Sequence, residues 1–137
     1  MAHILDAVVA GEAPRTGYAD TLRLPPPLGW EPGRVWTEWE VDPSLLTPWG
    51  AVFGGYVAAL ADEIAGLTTL SVLEEGETFG TSELRVTPLR ALRQGRIRIE
   101  GRVLSRGRSA IHVEVEFRRE DGTLAAKGAA IQVLTRD

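Results

Sequence analysis

One segment of this chain has both the length and the period of a long helix. Within residues 54–73, Val57, Ile64 and Leu67 fall within about 60° of Leu60 when each residue turns the helix by about 100°. From residue 79 onward the apolar period changes to two, which is the period of a strand with one buried face. A single helix followed by a run of strands predicts an α+β domain, with the helix lying on one antiparallel sheet.

The predicted strands come on both sides of the helix. Residues 35–41 have strand composition, and Glu120, Asp121 and Gly122 form a hairpin turn signal. Four consecutive antiparallel strands follow the helix, and their patterned segments are 84–86, 97–103, 111–117 and 124–134. The sheet is therefore expected to have five or six strands.

The helix face opposite the apolar stripe carries small residues around one acid. Asp62 is surrounded there by Gly55, Ala58, Ala65, Gly66 and Thr69. A solvated helix face normally carries Lys, Glu and Gln, so small residues indicate close approach of a backbone or a ligand. One helix of about 30 Å also leaves the sheet edges open. A homodimer would close both surfaces, and we expect one.

Length and composition favour a single globular domain. The chain has 137 residues, of which 44% are hydrophobic and 25% charged. We divide it into a lead-in arm over residues 1–34, with a short helix near residues 4–9, and one domain over residues 35–137. No apolar run approaches the roughly 18–20 residues of a membrane span, so a cytoplasmic protein without a membrane partner is expected. With no Cys and two His, no metal site is expected.

Charge is unevenly distributed along the chain. Residues 1–82 hold 3 Lys or Arg against 12 Asp or Glu, whereas residues 83–137 hold 12 against 7. A net charge of −4 argues against nucleic acid as a partner, because duplex binding requires many neutralised phosphates. The arginines of the second half fit either a solvated sheet face or contacts to a few phosphates of a small ligand.

Few residues could carry chemistry. A Ser–His–Asp triad is disfavoured because His112 shares strand parity with Glu114 and Glu116, and His3 lies near the terminus. What remains is the start of the helix at Gly54 and Gly55, together with Asp62.

The helix start and Asp62 suit complementary roles. Free N–H groups at a helix start can polarise a carbonyl, and a carboxylate can act as general base or nucleophile. Because Gly54 and Asp62 lie about 12 Å apart along one helix, they could share a carbonyl only if they came from two subunits. The alternative is a packing role for the glycines and a solvated Asp62. Glu63 is a second candidate acid, at the boundary between the apolar stripe and solvent.

The order of several motifs resembles the hotdog-fold thioesterase superfamily, in particular the phenylacetate-pathway and 4-hydroxybenzoyl-CoA thioesterase type. The resemblance spans roughly residues 35–134. The segments that carry it are GAVFGGYVAALAD over 50–62, GTSELRVTPLR over 80–90, GRVLSRGR over 101–108 and DGTLAAKG over 121–128.

This resemblance implies a central helix wrapped by an antiparallel sheet, a dimer or dimer of dimers, and hydrolysis of an acyl-CoA thioester without a cofactor. CoA would be part of the substrate, and an acyl-carrier thioester is the other partner considered. Asp62 matches the helix acid that serves as base or nucleophile. Gly54 matches the glycine whose N–H polarises the thioester carbonyl, and Gly55 follows it. Thr81 falls near a hydroxyl that holds the water, although strand parity groups Thr81 with Glu83 and Arg85.

The remaining site residues follow from the same resemblance. Arg90, Arg106 and Arg108 lie where CoA phosphate contacts are expected. The family usually has His where this chain has Phe53, and Asn or Gln where it has Thr47.

Phe53 and Tyr56 instead resemble the helix start of double-hotdog acyl-CoA thioesterases, and they favour an apolar or aromatic acyl group. The expected function is therefore an acyl-CoA thioesterase for a small aromatic or medium-chain acyl group. A non-catalytic hotdog protein that binds acyl thioesters is the alternative, and a hotdog hydratase is a third reading that lacks its usual histidine.

Overall fold

The computed structural model describes residues 3–14 and 16–136. Its three α-helices are α1 (Ile4–Val9), α2 (Gly17–Thr21) and α3 (Gly54–Leu70), and Pro43–Leu45 form a short 3-10 helix. Its six strands are β1 (Gly29–Glu31), β2 (Arg34–Glu40), β3 (Glu77–Pro88), β4 (Arg96–Arg106), β5 (Ala110–Arg118) and β6 (Leu124–Arg136). Within the described residues, no helix combines the length and apolar character needed to cross a membrane.

All six strands of the described chain form one antiparallel sheet in the order β1-β2-β4-β5-β6-β3. The predicted α+β class with a central helix on the sheet is confirmed. The four strands after α3 do not form a simple meander, however, because β3 pairs with β6 at the far edge. The seven residues between β3 and β4 form a crossover connection, which carries the chain from the edge strand past β6 and β5 to β4.

Helix α3 is buried over more than half of its circumference. Leu60, Ile64 and Ala61 are at most 1% exposed, as the apolar stripe predicts for the first two. Ala65 and Thr69, which we expected on the open face, are also fully buried. The expectation was wrong for these two residues because the sheet curls around the helix and covers a wider arc than a flat sheet would.

Two glycines let the helix lie close to the sheet. A Cβ atom at Gly101 would overlap the Thr68 hydroxyl and lie 2.9 Å from Ile64 Cγ2. A Cβ atom at Gly128 would lie 3.3 Å from the Cβ atom of Ala61. Small residues at these points therefore set the distance between α3 and the strands β4 and β6.

The lead-in packs on the same core as the rest of the domain. Leu5 and Leu24 are buried, and β1 pairs with β2, so the division at residue 34 falls within a hairpin of the sheet. The predicted short helix over residues 4–9 is confirmed as α1. The Tyr56 hydroxyl of α3 donates hydrogen bonds to the carbonyls of Leu22 and Arg23 at 2.8 and 3.1 Å, and these bonds fix the lead-in against the helix.

Candidate active site

Asp62 and Thr81 meet where α3 approaches the edge strand. The Thr81 hydroxyl donates to Oδ1 of Asp62 at 2.8 Å, and both residues are exposed. Thr81 pairs with Gln132 of β6, whereas Glu83 pairs with Ile131. Ser82 is the extra residue of a bulge, which reverses the alternation of side chains along the strand. Parity therefore gave the wrong face for Thr81, and the bulge turns its hydroxyl towards the helix.

The Asp62–Thr81 pair lies at the mouth of a cleft of about 300 Å³. Most of the lining is apolar, from α3, the start of β3 and the lead-in; these side chains are Tyr18, Leu22, Leu24, Ala59, Leu67, Leu70 and Phe79. Gly66 also lines the cleft, and a Cβ atom added there would contact the Phe79 ring at 3.6 Å. A carboxylate and a hydroxyl beside an apolar cleft of this size fit a small acyl group with its carbonyl at the mouth.

Glu63, the second candidate acid, is held by the lead-in. Its carboxylate accepts a hydrogen bond from the Tyr18 hydroxyl at 2.9 Å. Burial raises the pKa of Tyr18, and the bond to Glu63 and the charge of Glu63 raise this pKa further. The two adjacent acids of α3 therefore have different partners: Asp62 contacts a strand hydroxyl, and Glu63 contacts a phenol.

The start of α3 is open to solvent. Gly54 and Gly55 are exposed, as is Phe53 at 60%. The Phe53 ring lies over Gly55, where an added Cβ would approach a ring carbon at 2.5 Å. The first N–H groups of a helix lack partners within the helix. Eight residues separate Gly54 from Asp62, so the structure does not bring them together within one chain; the axial distance is about 12 Å.

Tyr56 and Thr47, which we expected to contact the substrate, lie away from the cleft at Asp62. Tyr56 is 6% exposed and packs against Trp39, with the ring centroids 5.3 Å apart. Thr47 lies in the turn before the helix, where its N–H donates to the Ala51 carbonyl and its carbonyl accepts from Gly50. Neither residue lines the cleft at Asp62.

The three arginines expected at CoA phosphates are not together within one chain. Arg90 lies beside Ala125, near the start of β6. Arg106 pairs with Ile111 of β5, which in turn pairs with Gln132 of β6. Arg106 and the nearby Arg108 therefore lie towards the other end of β6. Along β6 these two ends are about 23 Å apart. One molecule of CoA bound to a single chain therefore cannot use all three of them at its phosphates.

Arg106 already has an anionic partner. Its guanidinium contacts Oε1 of the buried Glu77 at 2.5 Å, and Arg136 contacts Oε2 at 2.8 Å. The Arg106 hydrogen bond, followed by the N–H of Glu74, lowers the pKa of Glu77. Arg108 is exposed in the turn after β4.

Other arginines fit the solvated-face interpretation of the charge pattern. In the second half of the chain, Arg98 and Arg102 contact Glu100 on the sheet at 3.6 and 2.6 Å.

Neither histidine is placed for catalysis at Asp62. His3 caps α1, where its Nδ1 accepts from the N–H of Leu5 at 3.0 Å, and its ring lies 4.5 Å from that of Trp30. His112 is exposed on the outer face of β5, as its parity predicted. Among residues 3–14 and 16–136, no group of three or more His, Cys, Asp or Glu is arranged to hold a metal ion.

Sequence reasoning missed the walls of the cleft. Tyr18 and Leu22 are 56% and 42% exposed although both are large and apolar, and they reach the cleft from about 40 residues before Asp62 in the chain. Local periodicity carries no signal for such a contact. Phe79 was placed at the start of a strand, but its position over Gly66 depends on how the sheet curls.

The Thioesterase superfamily matches residues 50–126 of the chain. A Saccharolobus solfataricus protein named as an esterase is 34% identical over 97 residues, which are 71% of this chain and 69% of that protein.

Solved structures agree with the fold. A Ralstonia eutropha JMP134 protein described as a thioesterase related to phenylacetic acid degradation has a TM-score of 0.82 and 27% identity, covering 94% of this chain and 98% of its own. A Streptococcus mutans UA159 protein bound to acetyl-CoA has a TM-score of 0.75 and 27% identity, covering 81% and 88%. The sequence match, the sheet order and the central helix agree, and this chain belongs to the thioesterase superfamily as a thioester hydrolase with the hotdog fold.

Proposed function

We propose that this protein hydrolyses acyl-CoA thioesters of a small aromatic or medium-chain acid, with Asp62 as the reacting acid. The observation that carries the proposal is the hydrogen bond from Thr81 to Asp62 at the mouth of an apolar cleft. The acyl group would occupy the cleft between Phe79 and the lead-in, and the thioester carbonyl would lie at Asp62. The acetyl-CoA bound to the Streptococcus mutans relative supports CoA as the thiol carrier.

In the proposed reaction, Asp62 takes a proton from a water molecule whose oxygen attacks the thioester carbonyl carbon. The tetrahedral intermediate then expels the CoA thiolate, which receives the proton from Asp62, and the acid product leaves. Thr81 donates to one carboxylate oxygen, so the other oxygen can accept from the water. Direct attack by Asp62 on the carbonyl, followed by hydrolysis of the anhydride, is the alternative with the same residues.

The polarising N–H group would come from Gly54 of a second copy. The carbonyl cannot reach Gly54 and Asp62 of one helix at a separation of about 12 Å. Strand β3, which carries Thr81, is a 12-residue edge strand, and its unpaired backbone groups favour pairing with another chain. Exposed Phe53 at the helix start would then lie within this shared surface. A homodimer, or a dimer of dimers, is part of the proposal.

Matched substitutions at the two adjacent acids test the role of Asp62. Release of free thiol from a panel of acyl- and aryl-CoAs is measured for the wild type, Asp62→Asn and Glu63→Gln. General-base catalysis contributes about 10²–10⁴-fold, so Asp62→Asn should lose at least about 100-fold in kcat. Glu63→Gln should stay within a few-fold. Undiminished turnover by Asp62→Asn would refute the proposal, and tight binding without thiol release by the wild type would favour the non-catalytic interpretation.

Complementation between subunits tests the shared site. Gly54→Pro removes the N–H, and Pro is tolerated at the first helical position, which Gly54 occupies. Asp62→Asn and Gly54→Pro should each be inactive alone. Mixed dimers would contain one site with both groups intact, so co-refolding at equal amounts should restore about one quarter of wild-type activity if pairing is random. No recovery, with mixed dimers demonstrated, would place both groups in one chain.

A further inference from the structure

Gln132 is a buried amide without a hydrogen-bond partner. It lies in β6, is 0% exposed, and neither Oε1 nor Nε2 has a partner among the described residues. An unsatisfied amide of this kind is destabilising, whereas an apolar side chain of similar size at the same position would not be. Packing alone therefore does not account for a glutamine at this core position, which is paired with Ile111 of β5.

The three buried threonines of the described chain all have hydrogen-bond partners. The Thr37 hydroxyl donates to the Pro26 carbonyl at 2.6 Å. The hydroxyls of Thr68 and Thr69 donate to carbonyls one turn earlier in α3, at 2.7 and 2.8 Å. Gln132 differs from these three in its location as well, because it lies beside the Asp62–Thr81 pair.

The register places Gln132 directly opposite Thr81. The two residues are cross-strand partners of β6 and β3, and such partners share a sheet face with Cβ atoms about 4.5–5.5 Å apart. Gln132 alternates with the buried Ala130 and Leu134, so its side chain is on the helix side, as is that of Thr81. The Thr81 hydroxyl donates a hydrogen bond to Asp62, and its oxygen keeps lone pairs that can accept a hydrogen bond from an amide N–H.

We propose that Gln132 is a positioning residue of the reaction: its amide has no partner in the part of the chain that the structure describes, and in the reacting complex it donates to the Thr81 oxygen and so directs the Thr81 proton towards Asp62. This inference rests on the proposed function. When Asp62 reacts with water, the hydrogen bond from Thr81 must stay on one carboxylate oxygen so that the other faces the water. An N–H of Gln132 that donates to the Thr81 oxygen disfavours the other orientation of the hydroxyl, in which the Thr81 proton points towards Gln132 and away from Asp62.

The test is a double-mutant cycle between Gln132 and Thr81. Gln132→Met keeps the side-chain length and removes both hydrogen-bonding atoms, and Thr81→Val removes the hydroxyl. Gln132→Met should lower kcat about tenfold with KM changed less than twofold, while its thermal unfolding midpoint is not lower than that of the wild type. In the Thr81→Val background the same change should have no further effect on kcat, because the hydroxyl that it positions is gone.

Controls separate this inference from the proposed function. Val133→Met, one residue along on the outer face of β6, should leave kcat unchanged, and Gln132→Leu serves if Gln132→Met does not fold. An unchanged kcat in the Gln132 variant, or an equal loss in both backgrounds, would overturn the inference even if Asp62→Asn is inactive. An active Asp62→Asn variant would overturn the proposed function and the positioning role together.

Discussion

The close approach of α3 to the sheet at Gly101 makes a strong prediction about stability. In Gly101→Ala, the new Cβ would overlap the Thr68 hydroxyl and lie 2.9 Å from Ile64 Cγ2 and 3.3 Å from the Ile64 carbonyl oxygen. Overpacking of this kind costs about 1–3 kcal/mol. Turning the Thr68 hydroxyl away from the Ile64 carbonyl would cost about 1 kcal/mol more. We therefore expect a loss of about 2–4 kcal/mol in the free energy of unfolding.

Urea unfolding of Gly101→Ala and Gly80→Ala measures this effect. Gly80 lies in β3 with no atom within 4 Å of an added Cβ, so Gly80→Ala should stay within about 1 kcal/mol of the wild type, on the stabilising side. Equal stability of the two variants would refute the proposed close packing at Gly101. Because α3 carries Asp62, folded Gly101→Ala should also show a lower kcat in the thiol-release assay.

Two further predictions concern the ionised groups. Glu77→Gln should lower the unfolding midpoint at neutral pH, because Arg106 and Arg136 lose their buried anion. The pKa of Glu77 is lower in the folded protein than its ordinary value. The stabilisation is therefore fully present above the ordinary pKa of Glu and is lost as the pH falls through the pKa of the folded state. A difference in unfolding midpoint between wild type and Glu77→Gln that stays constant across acid pH would contradict this. Glu63→Gln should lower the pKa of the Tyr18 hydroxyl, since the negative charge disappears and the carboxylate acceptor is replaced by a neutral, weaker amide oxygen. Ultraviolet titration of phenolate should then show one of the two tyrosines ionising at lower pH, and an unchanged curve would argue against the contact.

Most of the secondary structure could be predicted because it depends on local periodicity. The apolar stripe of α3 and the alternation of Ile111, Val113 and Val115 are properties of neighbouring residues, and the structure places these side chains in the core. The pairing of β3 with β6 could not be predicted in this way. Strand order is determined by which surfaces are buried together, and a seven-residue connection permits either a neighbouring strand or a crossover.

The candidate site shows the same division. Asp62 was identified from its position among small residues, and Thr81 from the resemblance to a family. Their contact depends on the bulge at Ser82, which reverses strand parity without any glycine or proline at that residue to indicate it. The role of Arg106 was likewise obscured by a partner 29 residues away, Glu77.

The sequence by itself determined a helix of small and apolar residues, a run of alternating strands and the acid that lies among them. These features are encoded within a few residues of each other, through side-chain period and size. Only the tertiary structure decided which strand borders the helix at Asp62, which lead-in side chains close the cleft, and that Gln132 lies behind Thr81 without a partner. Those contacts join residues 19 to about 50 positions apart, and they form because the sheet curls around the helix to bury it.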